Sequence, residues 1–169
     1  LGFAVTIIPE VTIDGEDVNS TRIRELVAEG DVGTSARLLG RPYTIRGRVV
    51  EGDRRGRTLG FPTLNLDPEN EMLPAPGVYA GRARFLDGAG SAAWLGAVTN
   101  VGRRPTFDAG ERIVCETHLL EFEGDAYGRR VELQFLSRIR PEQRFPSVAA
   151  LKLQIAADVQ EARRLLAAP

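Results

Sequence analysis

The chain has 169 residues, a formal net charge of −1, 43% hydrophobic residues and 27% charged residues, so it can bury one good core with a small appendage but not two full domains. The near-neutral charge argues against a general attraction to nucleic acid or to an anionic membrane. No apolar run approaches the roughly 20 residues that span a bilayer, and the N-terminus lacks the pattern of a secretory signal, so a cytoplasmic protein is expected.

The first forty residues predict one strand followed by two helices. Residues 3–8 form a continuous apolar, β-branched run that is typical of a buried parallel strand. A first helix is expected to begin at the capping residue Asn19 and to end near Gly30. Asp31 can cap a second helix that ends at Gly40, and the proline that follows blocks its continuation.

A strand expected at residues 43–49 leads into the most informative motif of the chain, the glycine- and arginine-rich stretch at 52–60. Its glycines free the backbone to turn N–H groups toward an anion, and its arginines add positive charge. The spacing is not that of a P-loop, because no Gly-Lys-Ser/Thr follows and the chain continues in an extended form. Solvated loop arginines are the alternative interpretation. We predict an ATP-binding segment that includes Gly52, Arg54, Gly56, Arg57 and Gly60.

Two oxygen-bearing side chains follow this loop, at Thr63 and Asn65. Residues i and i+2 of an extended segment share a face, so the hydroxyl and the amide carbonyl can approach one hard cation. Mg²⁺ prefers a few protein oxygens, with phosphate and water filling its remaining positions. We therefore predict that Thr63 and Asn65 hold Mg²⁺ beside a nucleotide polyphosphate.

The middle of the chain has short strands separated by Gly, Pro and Asp. Strands are expected at 77–86, 92–101, 112–122 and 130–139. With no helices between them, they predict an antiparallel sheet closed into a small barrel. The single cysteine, Cys115, and the single histidine, His118, are expected to be packing residues of a strand, because neither can form a disulfide or a zinc site alone.

Glu116 is the candidate catalytic residue. On an extended strand it shares a face with Val114, His118 and Leu120, so its carboxylate would have mostly apolar neighbours, a setting that favours a general base. The opposite face is also apolar, so the alternation leaves open whether Glu116 points into the barrel. An ion-paired structural glutamate is the interpretation that the residues alone favour.

One helix is expected at the C-terminus, capped by Ser147. Its apolar residues recur at spacings of three and four and predict one stripe that packs on the barrel. The stripe comprises Val148, Leu151, Ile155, Val159, Ala162 and Leu166.

Five motifs resemble, in the same order, those of the riboflavin kinases. They are Gly-Phe-Pro-Thr-x-Asn at 60–65, Pro-Gly-Val-Tyr at 76–79, Thr-Asn-Val-Gly-Arg-Arg-Pro-Thr-Phe at 99–107, Glu-Thr-His-Leu-Leu-Glu-Phe at 116–122 and Tyr-Gly-Arg-Arg-Val at 127–131. The resemblance implies a mainly β fold, a six-stranded antiparallel Greek-key barrel with a C-terminal helix, preceded by a short α/β remnant. It also implies an enzyme that transfers the γ-phosphoryl group of ATP to the 5′-hydroxyl of riboflavin, forming FMN.

The same resemblance implies roles for single residues. Glu116 would activate the riboflavin hydroxyl, and Thr63 and Asn65 would hold Mg²⁺. Residues 100–107, predicted as a loop between strands from their glycine and proline, resemble the flap that closes over the flavin. Flavin-binding roles are thus implied for Asn100, Arg103 and Thr106, with an ordinary hairpin connection as the alternative.

The N-terminal segment resembles the closing stretch of the adenylyltransferase module found in bifunctional riboflavin kinase/FAD synthetases. The likeness covers residues 18–24, 29–32 and 38–43. The chemistry of that module depends on an upstream His-x-x-His element, whereas His118 is the only histidine here. We therefore expect residues 1–41 to be the remnant of a nucleotidyltransferase module without FAD synthetase activity, and residues 42–169 to be the kinase barrel with its helix.

Two other functions are considered. A non-catalytic flavin- or nucleotide-binding barrel could keep the shape of the family, although such a module would be expected to have lost at least one of Thr63, Asn65 and Glu116. A barrel that binds single-stranded nucleic acid would need aromatic platforms beside a basic groove, whereas aromatic residues make up only 7% of this chain. The expected partners are riboflavin or FMN and ATP or ADP, with neither nucleic acid nor membrane.

Overall fold

The computed structural model describes residues 2–7, 9–52, 56, 59–87, 93–106 and 110–167, and no side chain is described at 104–106 or 110–112. Within these residues no helix is long and apolar enough to cross a bilayer. The N-terminal part holds a short hairpin, β1 (Thr12–Ile13) and β2 (Glu16–Asp17), and two helices, α1 (Ser20–Glu29) and α2 (Val32–Leu39).

Both N-terminal helices are confirmed, with the predicted caps. The Asn19 side chain accepts a hydrogen bond from the backbone N–H of Arg22 at 2.8 Å, and α1 ends at Gly30 with φ 83°. Asp31 caps α2 by accepting from the backbone N–H of Thr34 at 3.0 Å. Local capping chemistry thus sets both helix boundaries.

The strand predicted at residues 3–8 is wrong for the part of it that is described. Residues 2–7 have no strand pairing, and the side chains of Phe3, Val5 and Ile7 are 88%, 73% and 87% exposed. The apolar run has the composition of a buried strand, but no described strand lies beside it to complete a ladder. A strand needs such a neighbour, because its backbone hydrogen bonds are all made to another strand.

Six antiparallel strands close into a barrel, which confirms the predicted fold. They are β3 (Tyr43–Val50), β4 (Leu64–Pro68), β5 (Gly77–Phe85), β6 (Leu95–Thr106), β7 (Gly110–Leu119) and β8 (Arg130–Pro141). Around the barrel the order is β3-β4-β7-β6-β5-β8. Because β8 returns beside β5 after the β5-β6-β7 meander, the arrangement is a Greek key.

The loop predicted at 100–107 is also wrong for its described part. β6 continues as a strand to Thr106 and pairs with β7 as far as Thr106 opposite Gly110, whereas the last β5–β6 pair is Gly77 opposite Val101. Residues 102–106 therefore have no partner on the β5 side. Such an edge tolerates Pro105, which lacks a backbone N–H to donate, so proline did not indicate a loop here. Phe107 lies outside the described residues.

The core has two parts. The barrel interior is filled by apolar side chains from all six strands, with Ile45, Tyr79, Leu133 and Phe135 completely buried or nearly so. A second apolar cluster lies between the outer wall of the barrel and α3 (Val148–Ala167), whose N-terminus is capped by Ser147 as predicted. The α3 stripe contacts the barrel through Ile155, Val159, Ala162 and Leu166, but Val148 is 67% exposed and does not belong to it.

Candidate active site

Strand register aligns three predicted site residues in one row. Glu116 on β7 lies opposite Asn65 of β4 on one side and opposite Asn100 of β6 on the other. The row continues through Val78 of β5 to Arg140 of β8. Directly opposed residues place their side chains on the same face of a sheet, so residues distant in sequence become neighbours.

This face is the outer surface of the barrel, not its interior. The residues flanking Glu116, Cys115 and Thr117, are 1% and 3% exposed inside the barrel, and the Thr117 hydroxyl lies 3.1 Å from that of Thr99. Burial raises the pKa of the Cys115 thiol to about 12, so the thiol stays protonated and is no candidate nucleophile. By alternation, Glu116 points outward.

The predicted setting of Glu116 needs correction. Its carboxylate was expected among mostly apolar neighbours, but it is half-buried and has the amide side chains of Asn65 and Asn100 in the opposed positions. The interior side of β7 is occupied by Cys115, Thr117 and Leu119, so Glu116 lies where amide groups and solvent can stabilise its charge. The alternation along β7 gives no information about the residues that lie opposite Glu116 on β4 and β6, so their polarity could not be predicted from it.

A cavity of about 410 Å³ lies over this face, between the barrel wall and α3. Its apolar wall includes Val78 and Val98 of the barrel and Leu151 and Ile155 of α3. Six of the predicted site residues line it: Gly56, Thr63, Asn65, Asn100, Arg103 and Glu116. Candidate ligands of phosphate, metal and flavin therefore share one cavity.

Two predicted glycines are required by close packing. A Cβ added to Gly52 would collide with the side-chain amide of Asn65, and one added to Gly56 would lie 2.9 Å from the hydroxyl oxygen of Thr63. The loop backbone thus lies so close to both predicted metal ligands that a larger residue would force their side chains to shift. Gly60 has φ 86°, a left-handed conformation. Arg54 and Arg57 lie outside the described residues, and only the backbone of Thr106 is described.

A second cavity, of about 620 Å³, lies on the other side of Thr63. Thr63 lines both cavities, and the second one is otherwise bounded by Val49, Leu119 and the turn at 122–127. The Asp125 side chain shapes this turn by accepting from the backbone N–H of Tyr127 at 3.0 Å. From the sequence, Tyr127 is expected in a turn, and the resemblance of the motif at 127–131 implies nucleotide contacts near it, but no residue of 122–126 is predicted as a site residue.

A buried ion pair at the wall of the 410 Å³ cavity was not predicted from the sequence. Arg140 of β8 donates to Asp158 of α3 through Nε and Nη2, at 2.8 to 3.1 Å, and Gln154 donates to the same carboxylate at 2.9 Å. The Arg140 and Asp158 side chains are 16% and 3% exposed. No local pattern indicates a contact between a strand and a helix that follows it, so neither residue could be selected from sequence.

His118 is the third missed residue. Its Nδ1 lies 2.8 Å from the carbonyl oxygen of Pro62, and its ring packs edge-on to Phe61 with centroids 5.7 Å apart. It lines the same cavity as Glu116. The available signal was its position two residues after Glu116, which places both side chains on one face.

The known proteins that resemble this chain in sequence indicate a single family. A family model described as "Flavokinase: Riboflavin kinase" matches residues 39–166. A bifunctional riboflavin kinase/FMN adenylyltransferase of Pseudomonas fluorescens is 43% identical over 166 residues, covering 98% of this chain and 52% of that protein. The chain thus spans about half the length of the curated relatives it matches.

Two solved structures are similar in fold. The crystal structure of a protein titled a macrolide-efflux protein, from Streptococcus pneumoniae, has a TM-score of 0.84 at 37% identity and covers 92% of this chain and 50% of that one. The crystal structure of riboflavin kinase from Trypanosoma brucei has a TM-score of 0.55 at 27% identity, covering 76% of this chain and 79% of that one.

Proposed function

The chain belongs to the riboflavin kinase family, and from that premise we propose that it transfers the γ-phosphoryl group of ATP to the 5′-hydroxyl of riboflavin, forming FMN. The observation that carries this proposal is the meeting of Thr63, Asn65 and Glu116 in one cavity. Phosphoryl transfer requires positioning, charge neutralisation and a base for the attacking hydroxyl, and these side chains are suited to those tasks.

Glu116 is the proposed general base. It is half-buried at the centre of the residue row, and its carboxylate opens into the cavity that would hold the flavin. A base must come within hydrogen-bond reach of the hydroxyl it deprotonates, and a strand is a rigid support on which a carboxylate can be held for that purpose. Asn65 and Asn100 flank it and can orient the carboxylate or the substrate.

Thr63 and Asn65 are the proposed Mg²⁺ ligands. Both provide neutral oxygens to the same cavity, and Gly52 and Gly56 of the glycine-rich loop lie close against their side chains. This donor set fits Mg²⁺, which takes few protein oxygens when phosphates complete its coordination. The bound ion would neutralise the charge on the transferred phosphoryl group.

The two cavities suggest a division between the substrates. The 410 Å³ cavity, with its apolar wall, suits the flavin, with Asn100 and Arg103 as polar contacts and Thr106 beyond them on β6. The 620 Å³ cavity suits the nucleotide, with its phosphates directed past Thr63 toward the loop that contains Gly52, Gly56, Gly60, Arg54 and Arg57, of which Gly56 lines the 410 Å³ cavity. Thr63 borders both cavities, where the transferred group must pass between them.

Residues 1–41 are proposed to be the remnant of a nucleotidyltransferase module, and residues 42–169 the kinase unit. The relatives that this chain matches combine both activities, as their names state. With His118 as its only histidine, this chain is expected to form FMN without converting it to FAD.

The test is an assay of the purified chain with riboflavin and MgATP, with chromatographic separation of FMN and FAD. We expect FMN alone, and a loss of roughly 10²- to 10⁴-fold in turnover for Glu116→Gln. Glu161→Gln is the matched control, because Glu161 is paired with Arg164 on α3 and lies outside both cavities. Full activity of Glu116→Gln would remove Glu116 from the mechanism, and flavin binding without turnover by the unsubstituted chain would favour a binding module.

A further inference from the structure

Thr63 lies one residue before the start of strand β4. β4 begins at Leu64, and its pairing with β7 runs from Leu64 opposite Thr117 to Leu66 opposite Cys115. The backbone of Thr63 is therefore not part of the β4–β7 ladder, although the proposed function requires its hydroxyl at a defined place. The preceding residue, Pro62, has no backbone N–H and cannot donate to a neighbouring strand.

A side chain links β7 to the segment before Leu64, where the two strands have no backbone pairing. His118 of β7 reaches across to Pro62, with Nδ1 at 2.8 Å from the carbonyl oxygen. A carbonyl oxygen only accepts hydrogen bonds, so Nδ1 must carry the proton in this contact. The same ring packs edge-on to Phe61, whose backbone N–H donates to Gly56 O at 2.9 Å.

We propose that His118 is a positioning residue that fixes the Pro62–Thr63 peptide and thereby aims the Thr63 hydroxyl at the metal–nucleotide complex. This inference rests on the proposed function, because it assigns to His118 the task of supporting a metal ligand. The alternative of a residue that merely packs in the sheet is less consistent with the polar contact, since an apolar ring would fill the space beside Phe61 equally well.

Two substitutions separate the hydrogen bond from the packing. His118→Phe keeps an aromatic ring against Phe61 but removes the donor. His118→Asn is smaller but can present an amide N–H near the position of Nδ1. We expect His118→Phe to raise the KM for MgATP by about three- to tenfold, the range of one ordinary hydrogen bond, and His118→Asn to restore most of the affinity. The KM for riboflavin should rise less than that for MgATP, because His118 lines the proposed flavin cavity but its hydrogen bond holds the segment that precedes Thr63.

A double-mutant cycle with Thr63→Ala tests whether His118 acts through Thr63. Once the hydroxyl is absent, its orientation no longer matters, so adding His118→Phe to Thr63→Ala should change the KM for MgATP by less than about twofold. Fully additive effects would overturn the proposal. So would an equal rise in the riboflavin KM, a loss confined to kcat, or a His118→Asn variant as impaired as His118→Phe.

Calorimetric titration with MgADP, together with thermal unfolding, distinguishes this inference from the proposed function. If the unsubstituted chain binds MgADP but forms no FMN, the kinase proposal fails while the His118 cycle can still be completed on binding affinities. If His118→Phe lowers the melting temperature and leaves MgADP affinity unchanged, His118 is a packing residue and the positioning role is refuted.

Discussion

At the scale of single residues, the candidate site depends on register more than on proximity along the chain. Asn65, Glu116 and Asn100 come from three strands, and each contributes one side chain to the same row. A slip of one residue in β7 would turn Glu116 into the barrel interior and bring Cys115 or Thr117 to the cavity. The closely packed interior prevents that slip, so the core of the barrel also maintains the chemistry on its surface.

Gly52 gives a test of the site that substitutes neither of the proposed metal ligands. A Cβ at this position would collide with the Asn65 amide, so Gly52→Ala should displace the proposed metal ligand. We expect a several-fold increase in the Mg²⁺ concentration needed for half-maximal activity. Gly33→Ala is the matched control, because its Cβ would meet only Asp31 Oδ1, at 3.7 Å. An unchanged Mg²⁺ requirement would exclude Asn65 as a ligand.

The environment of Glu132 leads us to expect that the stability of the fold depends on pH. Burial opposes the ionisation of its carboxyl, but hydrogen bonds from Arg46 and Arg84 outweigh that effect and hold the pKa below its ordinary value of 4.5. Because the folded pKa is lowered, the stabilisation is present above 4.5 and is lost as pH falls through the folded value. Glu132→Gln should cost about 1–3 kcal/mol at neutral pH.

Urea unfolding of both proteins across the acid range would measure this effect. The difference in free energy of unfolding between the original chain and Glu132→Gln should narrow below pH 4.5, where the glutamate becomes protonated. A difference that stays constant down to acid pH would show that the loss comes from packing and not from the charge.

At the scale of elements, the Arg140–Asp158 pair attaches α3 to the barrel at the wall of the 410 Å³ cavity. Asp158→Asn would leave the largely buried Arg140 guanidinium without its countercharge, so we expect a loss of about 3 kcal/mol in unfolding free energy. The KM for riboflavin should rise as well, since α3 carries Leu151 and Ile155 of the apolar wall.

A matched control lies on the same helix. Glu161 and Arg164 form an ion pair at 2.7 Å, with side chains 39% and 69% exposed, so breaking this pair should have little effect on stability. Equal losses from Asp158→Asn and Glu161→Gln in denaturant unfolding would contradict the attachment role of the buried pair.

How well the elements could be predicted follows from the range of the interactions that form them. Asn19, Asp31 and Ser147 cap their helices through partners three residues away, so the start of each helix was readable from local sequence. Strand alternation correctly indicated an antiparallel barrel. It could not decide the side on which Glu116 lies, nor pair Arg140 with Asp158, because those outcomes depend on contacts between distant segments. Residues 3–8 show the same limit, since composition indicates a strand but not its partner.

At the scale of the whole molecule, the N-terminal helices are joined to the barrel across the predicted boundary at residue 41. Val32 of α2 is 1% exposed and belongs to the interior cluster that contains Tyr79 and Phe135. Arg138 of β8 also donates to the carbonyl oxygens of Glu29 and Pro76, at 3.1 and 2.7 Å. Helix α2 therefore contributes to the barrel core, although it precedes the six strands.

Val32→Ala should consequently destabilise the barrel itself, by about 1–3 kcal/mol. Trp94, the single tryptophan, lies beside Arg84 of β5 at 4.5 Å, so its fluorescence reports on the barrel. We expect its urea transition to shift to lower denaturant in Val32→Ala, and to stay in place in the control Val148→Ala, whose side chain is 67% exposed. An unshifted Trp94 transition in Val32→Ala would mean that the helices unfold independently of the strands.

Ring closure of the sheet has a consequence for encounters between copies of the chain. Within the described residues, each of the six strands has neighbours on both sides along the barrel, so few backbone groups are left to recruit a foreign strand. The exception is the protruding end of the β6–β7 hairpin, where residues 102–106 offer an open side. Pro105 has no backbone N–H to donate on that side. In this position it disfavours intermolecular strand addition and the fibrous assemblies that can follow from it.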